Sequence, residues 1–183
     1  MPCLSIQGCK TVCKLSDGSR FLREAPDWLE WILDNYYGNW TTAIFMHNHI
    51  NEWHRRGLPD PSSQFSKGLA NTGCPNSANF NCTLSGEWEQ YTQEGMHYGV
   101  YERPYLIWSA TVLGTTIDSL ISKHKLKKHF CCSEAIVRKS DLNKTPYRIF
   151  KLFHDRIKNA NDKEPWGWVM ERLWPILFHL QLP

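Results

Sequence analysis

"NWTTAIFMHNHINEWHRRG", residues 39–57, decides how this chain folds and what chemistry it carries. It places His47, His49, Glu52 and His54 within eight positions. As a helix, each residue turns 100°, so His47 and His49 point about 200° apart and cannot grip one ion. His47 and His54 then share a face, but their Cα atoms lie about 10.5 Å apart. A strand or loop would be needed for an H-x-H pair to converge. Asn39 suits a helix cap and Gly57 a helix stop, so the spacing predicts a helix from Trp40 to Arg56. On it His47 and His54 line up with Trp40, Ala43, Ile44 and Asn51 as a half-buried wall. His49 and Glu52, three apart, are the remaining metal candidates, with His97 or His154 as a distant ligand. The paired H-E-x-x-H spacing of helical zinc sites is absent. The expectation is a structural histidine cluster and no cofactor.

Upstream, "PDWLEWILDNYY", residues 26–37, also reads as a helix. Pro26 fits the first turn, Asp27 and Glu30 suit the positive end of the dipole, and Gly38 ends it. Trp28, Leu29, Trp31, Ile32 and Tyr36 fall on one side. A helical hairpin with the histidine segment follows. Downstream, "SGEWEQYTQEG", residues 85–95, can hold a short helix capped by Ser85. Leu106, Ala110, Leu113, Ile117 and Leu120 recur at four-three-four-three spacing, which predicts one long helix from Tyr105 to about Lys123. Gly114 inside it should cost about 1 kcal/mol relative to Ala. "TPYRIFKLFHDRIKNA", residues 145–160, predicts a helix capped by Thr145 with Pro146 at its first position. "EPWGWVMERLWPILFHL", residues 164–180, predicts a closing helix kinked at Pro175. No Val/Ile/Thr alternation is long enough to predict a central strand.

The fold class is therefore mainly α: a single-domain irregular helical bundle with a long disulfide-stapled loop. Residues 1–25 read as an irregular Cys-containing segment, and residues 26–183 as one helical domain with a loop at 58–85. The 183 residues are 42% hydrophobic, enough for one core. No apolar run approaches the roughly 20 residues of a membrane helix. The net charge of +3 gives no strong nucleic-acid signal. The basic "KHKLKKH", residues 123–129, lacks the interleaved aromatics of a single-strand binder and reads as a solvated helix end.

Seven cysteines and three N-x-S/T triplets, at Asn39, Asn81 and Asn143, favour an extracellular setting. The N-terminal 20 residues lack the apolar core of a signal peptide, so a cytoplasmic protein with free thiols is the alternative. Cys74 and Cys82 close the turn-rich "CPNSANFNC" and form the best local disulfide pair. Cys9 and Cys13 could be half of a zinc site, but no second half of usual spacing follows.

Cys74, Pro75, Phe80, Cys82, Thr83 and Leu84 head a stretch, residues 74–100, that resembles the non-catalytic C-terminal region of fungal killer-toxin-like chitinases. The resemblance covers under a fifth of the chain. It implies a secreted fungal accessory region. The catalytic D-x-x-D-x-D-x-E motif of those chitinases is absent, so the resemblance does not imply chitin hydrolysis.

Other enzyme signatures fail. There is no G-x-S-x-G elbow, and "GLANTG", residues 68–73, lacks the lysine of a phosphate loop. Glu87 and Glu89 would diverge on a helix. Glu102 reads as a solvated loop acid, and His97, Tyr98 and Tyr101 as packing. The nine tryptophans fall mostly beside Leu and Ile at helical spacing, which makes them core rather than a sugar platform. The expected function is a non-catalytic, secreted-type accessory or interaction domain, toxin- or effector-like, meeting a protein or carbohydrate surface. Two alternatives stay open: a metal-assisted hydrolase using the His/Glu cluster, and an intracellular helical interaction protein.

Overall fold

The computed structural model describes residues 24–45, 102–123, 135–161 and 163–179. Within them run helix α1 (Ala25–Asn35), strand β1 (Thr42–Phe45), helix α2 (Arg103–Val112), helix α3 (Ile117–Lys123), strand β2 (Ala135–Arg138), the single turn α4 (Lys139–Leu142), helix α5 (Tyr147–Lys158) and helix α6 (Trp166–Leu177). The described part is mostly helical, as the periodicity predicts, and it adds a small sheet.

That sheet corrects the reading of the opening stretch. Thr42–Phe45 is a strand, not the start of a helix, and it pairs antiparallel with β2 in the register Thr42–Arg138, Ala43–Val137, Ile44–Ile136 and Phe45–Ala135. Thr, Ile and Phe favour a pleated backbone, and a partner about 90 residues away completes the ladder. Four residues are too few to display an alternation, which is why the pattern did not betray the strand. Helix α1 is therefore followed by a turn and a strand, and residues 46–56 of the predicted helix lie outside the described residues.

The predicted long helix is likewise two helices. Gly114 takes φ +68° and forms a Schellman stop: Thr115 N–H donates to the Ala110 carbonyl at 2.9 Å, and Gly114 N–H to Thr111 at 3.1 Å. Thr116 then caps α3, its hydroxyl accepting from Ser119 N–H at 3.1 Å. The glycine is a terminator rather than a mid-helix cost. Leu106, Ala110 and Leu120 are buried, while Leu113 and Ile117 beside the break are only half-buried.

Helix α1 begins at Ala25 and buries Ala25, Trp28, Leu29 and Ile32. It packs chiefly on α5, whose inward face is Ile149, Phe150, Phe153 and Ile157. Helix α6 carries Pro175 in its interior and buries Trp166, Val169, Met170, Leu173, Trp174 and Leu177. Two sets of rings lock these elements together. Trp28, Phe45, Phe178 and Trp174 form a closed circuit with centroids 5.1, 5.0, 5.0 and 5.4 Å apart, joining α1, β1 and the end of α6. Tyr105, Trp166, Trp108 and Phe153 make a second chain at 5.2, 5.4 and 5.2 Å, joining α2, α6 and α5. Ring pairs of this kind add about 0.5–1.5 kcal/mol beyond the area they bury. Among the described residues, the aromatic side chains thus go largely into the core.

Candidate functional site

Helix α1 stops and the chain turns outward at residues 36–41 before entering β1. Its core side is fixed. The Tyr36 phenol donates to the Thr145 carbonyl at 2.8 Å. Trp40 Nε1–H donates to the Asn35 carbonyl at 2.7 Å, and Lys139 N–H to the Thr41 carbonyl at 2.9 Å. The Lys139 ammonium donates to the Gly38 carbonyl and sits 6.0 Å from the Trp40 ring centroid. A Cβ on Gly38 would lie 3.1 Å from the Asn35 carbonyl oxygen, so the turn is closely wrapped. Burial, with the neighbouring Tyr37 phenol adding to it, pushes the Tyr36 pKa above its ordinary value.

The outer side of the same turn is open. Asn39 and Thr41 are exposed, and Tyr37 is 81% exposed. The Tyr37 ring stacks on Tyr147 of α5, centroids 5.6 Å apart and planes 27° apart, and meets Tyr36 edge-on at 5.0 Å. An N-W-T triplet therefore stands on a hydrogen-bonded corner, with an aromatic ring two residues before its asparagine. Sequence reasoning found the triplet and missed Tyr37. The signal was available as "YGNWT", residues 37–41, but helical spacing assigned Tyr36 to the core and left its neighbour without a role.

The second triplet is differently placed. Asn143 is exposed at the end of α4, but Thr145 is buried. The Thr145 hydroxyl donates to the Leu177 carbonyl at 2.8 Å. Its single proton being committed, it accepts from His179 Nε2, 3.1 Å away, which fixes that imidazole with a proton on Nε2. Thr145 does not cap α5 as predicted, since Pro146 occupies the cap position with no side-chain bond. Thr145 instead ties the ends of α1 and α6 to the start of α5.

Glu102 is not a solvated loop acid. Its carboxylate accepts from Arg172 Nε at 3.1 Å and Nη2 at 3.0 Å, the two side chains only 14% and 11% exposed. Both nitrogens converge on the single oxygen Oε2, and the pair joins the start of α2 to α6. His154 is partly buried, with Nδ1 3.5 Å from Asp155. Lys151 pairs with Asp155 at 2.8 Å, which raises the lysine pKa and lowers the aspartate pKa.

His49, Glu52 and His97, the metal candidates, lie outside the described residues, as do His47 and His54. So do Cys74, Cys82, Asn81 and the chitinase-like stretch 74–100. Among the described residues no group of three or more His, Cys, Asp or Glu could hold a metal ion. No described helix is long and apolar enough to cross a membrane.

The family model described as "Protein of unknown function (DUF3431)" matches residues 19–182, and the chain belongs to that family. No curated protein and no solved structure matches the chain.

Proposed function

We propose that this DUF3431 protein is a non-catalytic, secreted-type accessory or interaction domain. The observation that supports this best is the outward placement of Asn39 and Thr41 on a turn whose other side is bonded into the core. An acceptor asparagine so placed tolerates a bulky sugar without disturbing packing. The seven cysteines and the turn-rich Cys74–Cys82 loop fit the same oxidising setting. The partner class is a protein or carbohydrate surface.

Expression of the full gene product from its own start in a yeast or filamentous fungus tests this reading. The protein is expected in the medium, with Cys74 and Cys82 recovered as a linked peptide pair. Recovery from the cytosol with all seven thiols open to alkylation would overturn it.

A metal-assisted hydrolase using His49 and Glu52 is the second reading, and one observation favours it. The angular objection to an H-x-H pair rested on a helix beginning at Trp40, and residues 42–45 are a strand. Elemental analysis of untagged protein, purified without chelator, separates the two readings. About one zinc, copper or iron per chain, lost in His49→Ala, would put the hydrolase first. Less than about a tenth of an equivalent leaves the interaction domain in place.

A further inference from the structure

We propose that Asn39 carries an N-glycan whose first sugar packs on the outward face of Tyr37. The inference rests on the secreted-type reading and assigns an occupant to the most exposed ring of the described structure.

Four observations converge on it. The order Tyr37-Gly38-Asn39-Trp40-Thr41 places an aromatic ring two residues before an acceptor asparagine that has its threonine two residues after. The intervening residue is a glycine in a tight turn, whose N–H bonds the Asn35 carbonyl at 2.9 Å. Ring, asparagine and threonine are all exposed, and the strand that follows is paired from Thr42 onward. One face of Tyr37 rests on Tyr147, which holds the ring and leaves the other face to water. A ring held this way loses little freedom when a sugar lands on it.

The chemistry of the contact follows from the ring's quadrupole. A pyranose presents a face of axial C–H groups, weakly positive, to the negative face of an aryl ring. N-acetylglucosamine attached to Asn39 Nδ2 starts only two residues from that ring. The attachment needs a lipid-linked oligosaccharide diphosphate as donor, supplied by the secretory machinery. The amide nitrogen of Asn39 forms a bond to C1 of the first sugar. The C1–O bond to phosphate breaks, the lipid diphosphate leaves with that electron pair, and one amide proton is lost to base.

The triplet at Asn143 lacks these features. Its threonine is buried with the hydroxyl committed to Leu177, Pro146 follows directly, and Asp141 stands where Tyr37 stands in the first triplet.

The test uses the whole chain behind an added secretion signal in yeast, as wild type, Tyr37→Ala, Asn39→Gln and the double variant. Tyr37 is exposed, so Tyr37→Ala is expected to fold. Peptide mass spectrometry should find Asn39 glycosylated. Asn39→Gln should lower Tm by about 2–4 °C in the wild-type background and by under about 1 °C with Tyr37→Ala. Trimming to a single N-acetylglucosamine should keep the wild-type Tm, because only the first sugar reaches the ring. An unmodified Asn39 peptide, or equal Tm losses in both backgrounds, would overturn the proposal. The added signal imposes the secretory route, so a failure here is separate from a failure of the native protein to be secreted.

Discussion

The Tyr36 phenol donates to the backbone carbonyl of Thr145, 2.8 Å away and 109 residues along the chain. This bond fastens the end of α1 to the start of α5 beneath the exposed corner. Tyr36 is buried, and its ring meets Tyr147 edge-on at 5.4 Å. Tyr36→Phe keeps the ring and removes the donor, so it should cost about 1 kcal/mol. Urea unfolding at neutral pH measures it; a change in midpoint worth less than about 0.3 kcal/mol would show the bond to be replaceable by water.

The same residue sets a pH dependence with a definite sign. Burial raises the Tyr36 pKa in the folded chain, so the unfolded chain gives up this proton first. The stabilisation is full below the unfolded pKa of about 10 and is lost as pH rises through the folded value. Unfolding midpoints from pH 8 to 11 should therefore fall on the alkaline side, and fall less steeply in Tyr36→Phe. Parallel slopes in the two proteins would contradict this.

How much of this was legible in the sequence depended on the length of each signal. Trp28, Leu29 and Ile32 on α1, and Leu106, Ala110 and Leu120 on α2 and α3, were readable as buried because helical spacing repeats over several turns. β1 was not, because four residues cannot establish a period and its partner is remote. The split between α2 and α3 was written in Gly114, but the hydrophobic stripe runs in phase across the break and hid it. The candidate corner was half legible. The acceptor triplet is a local motif, whereas the support of the exposed Tyr37 ring comes from Tyr147 of α5, more than 100 residues away.

Burial across that break gives a graded prediction. Leu106 is fully buried and Leu113 half-buried. Leu106→Ala should cost about 2–5 kcal/mol, with Leu113→Ala clearly less. Equal losses in denaturant titrations would mean that the region closes over Leu113 more tightly than the structure shows.

Gly114 tests the stop signal directly. Its φ of +68° is a left-handed conformation, while a Cβ there would meet nothing within 4 Å. Gly114→Ala should therefore cost about 1–2 kcal/mol from backbone strain alone, and Gly114→Asn less, since asparagine enters this region more readily. A neutral or stabilising alanine would instead support the single continuous helix that the spacing predicts.

The Glu102–Arg172 pair links α2 to α6 at a point where both side chains are mostly withdrawn from water. A pair so placed gains little over well-packed apolar groups, but removing one member strands the other. Arg172→Met should thus cost more than the double change Arg172→Met with Glu102→Gln. Arg172 also makes other interactions, which both variants lacking the arginine lose alike, so the cycle isolates the coupling to Glu102. A coupling of about 1–3 kcal/mol is expected, above the range of exposed pairs such as Lys151–Asp155. Differential scanning calorimetry of these four proteins and of a matching Lys151→Met, Asp155→Asn cycle, repeated at high salt, checks this. The Glu102–Arg172 coupling should persist, because little salt water reaches the pair, whereas the Lys151–Asp155 coupling should fade. If both fade together, the α2–α6 junction is more open to solvent than its burial implies, and this ion pair does not anchor it.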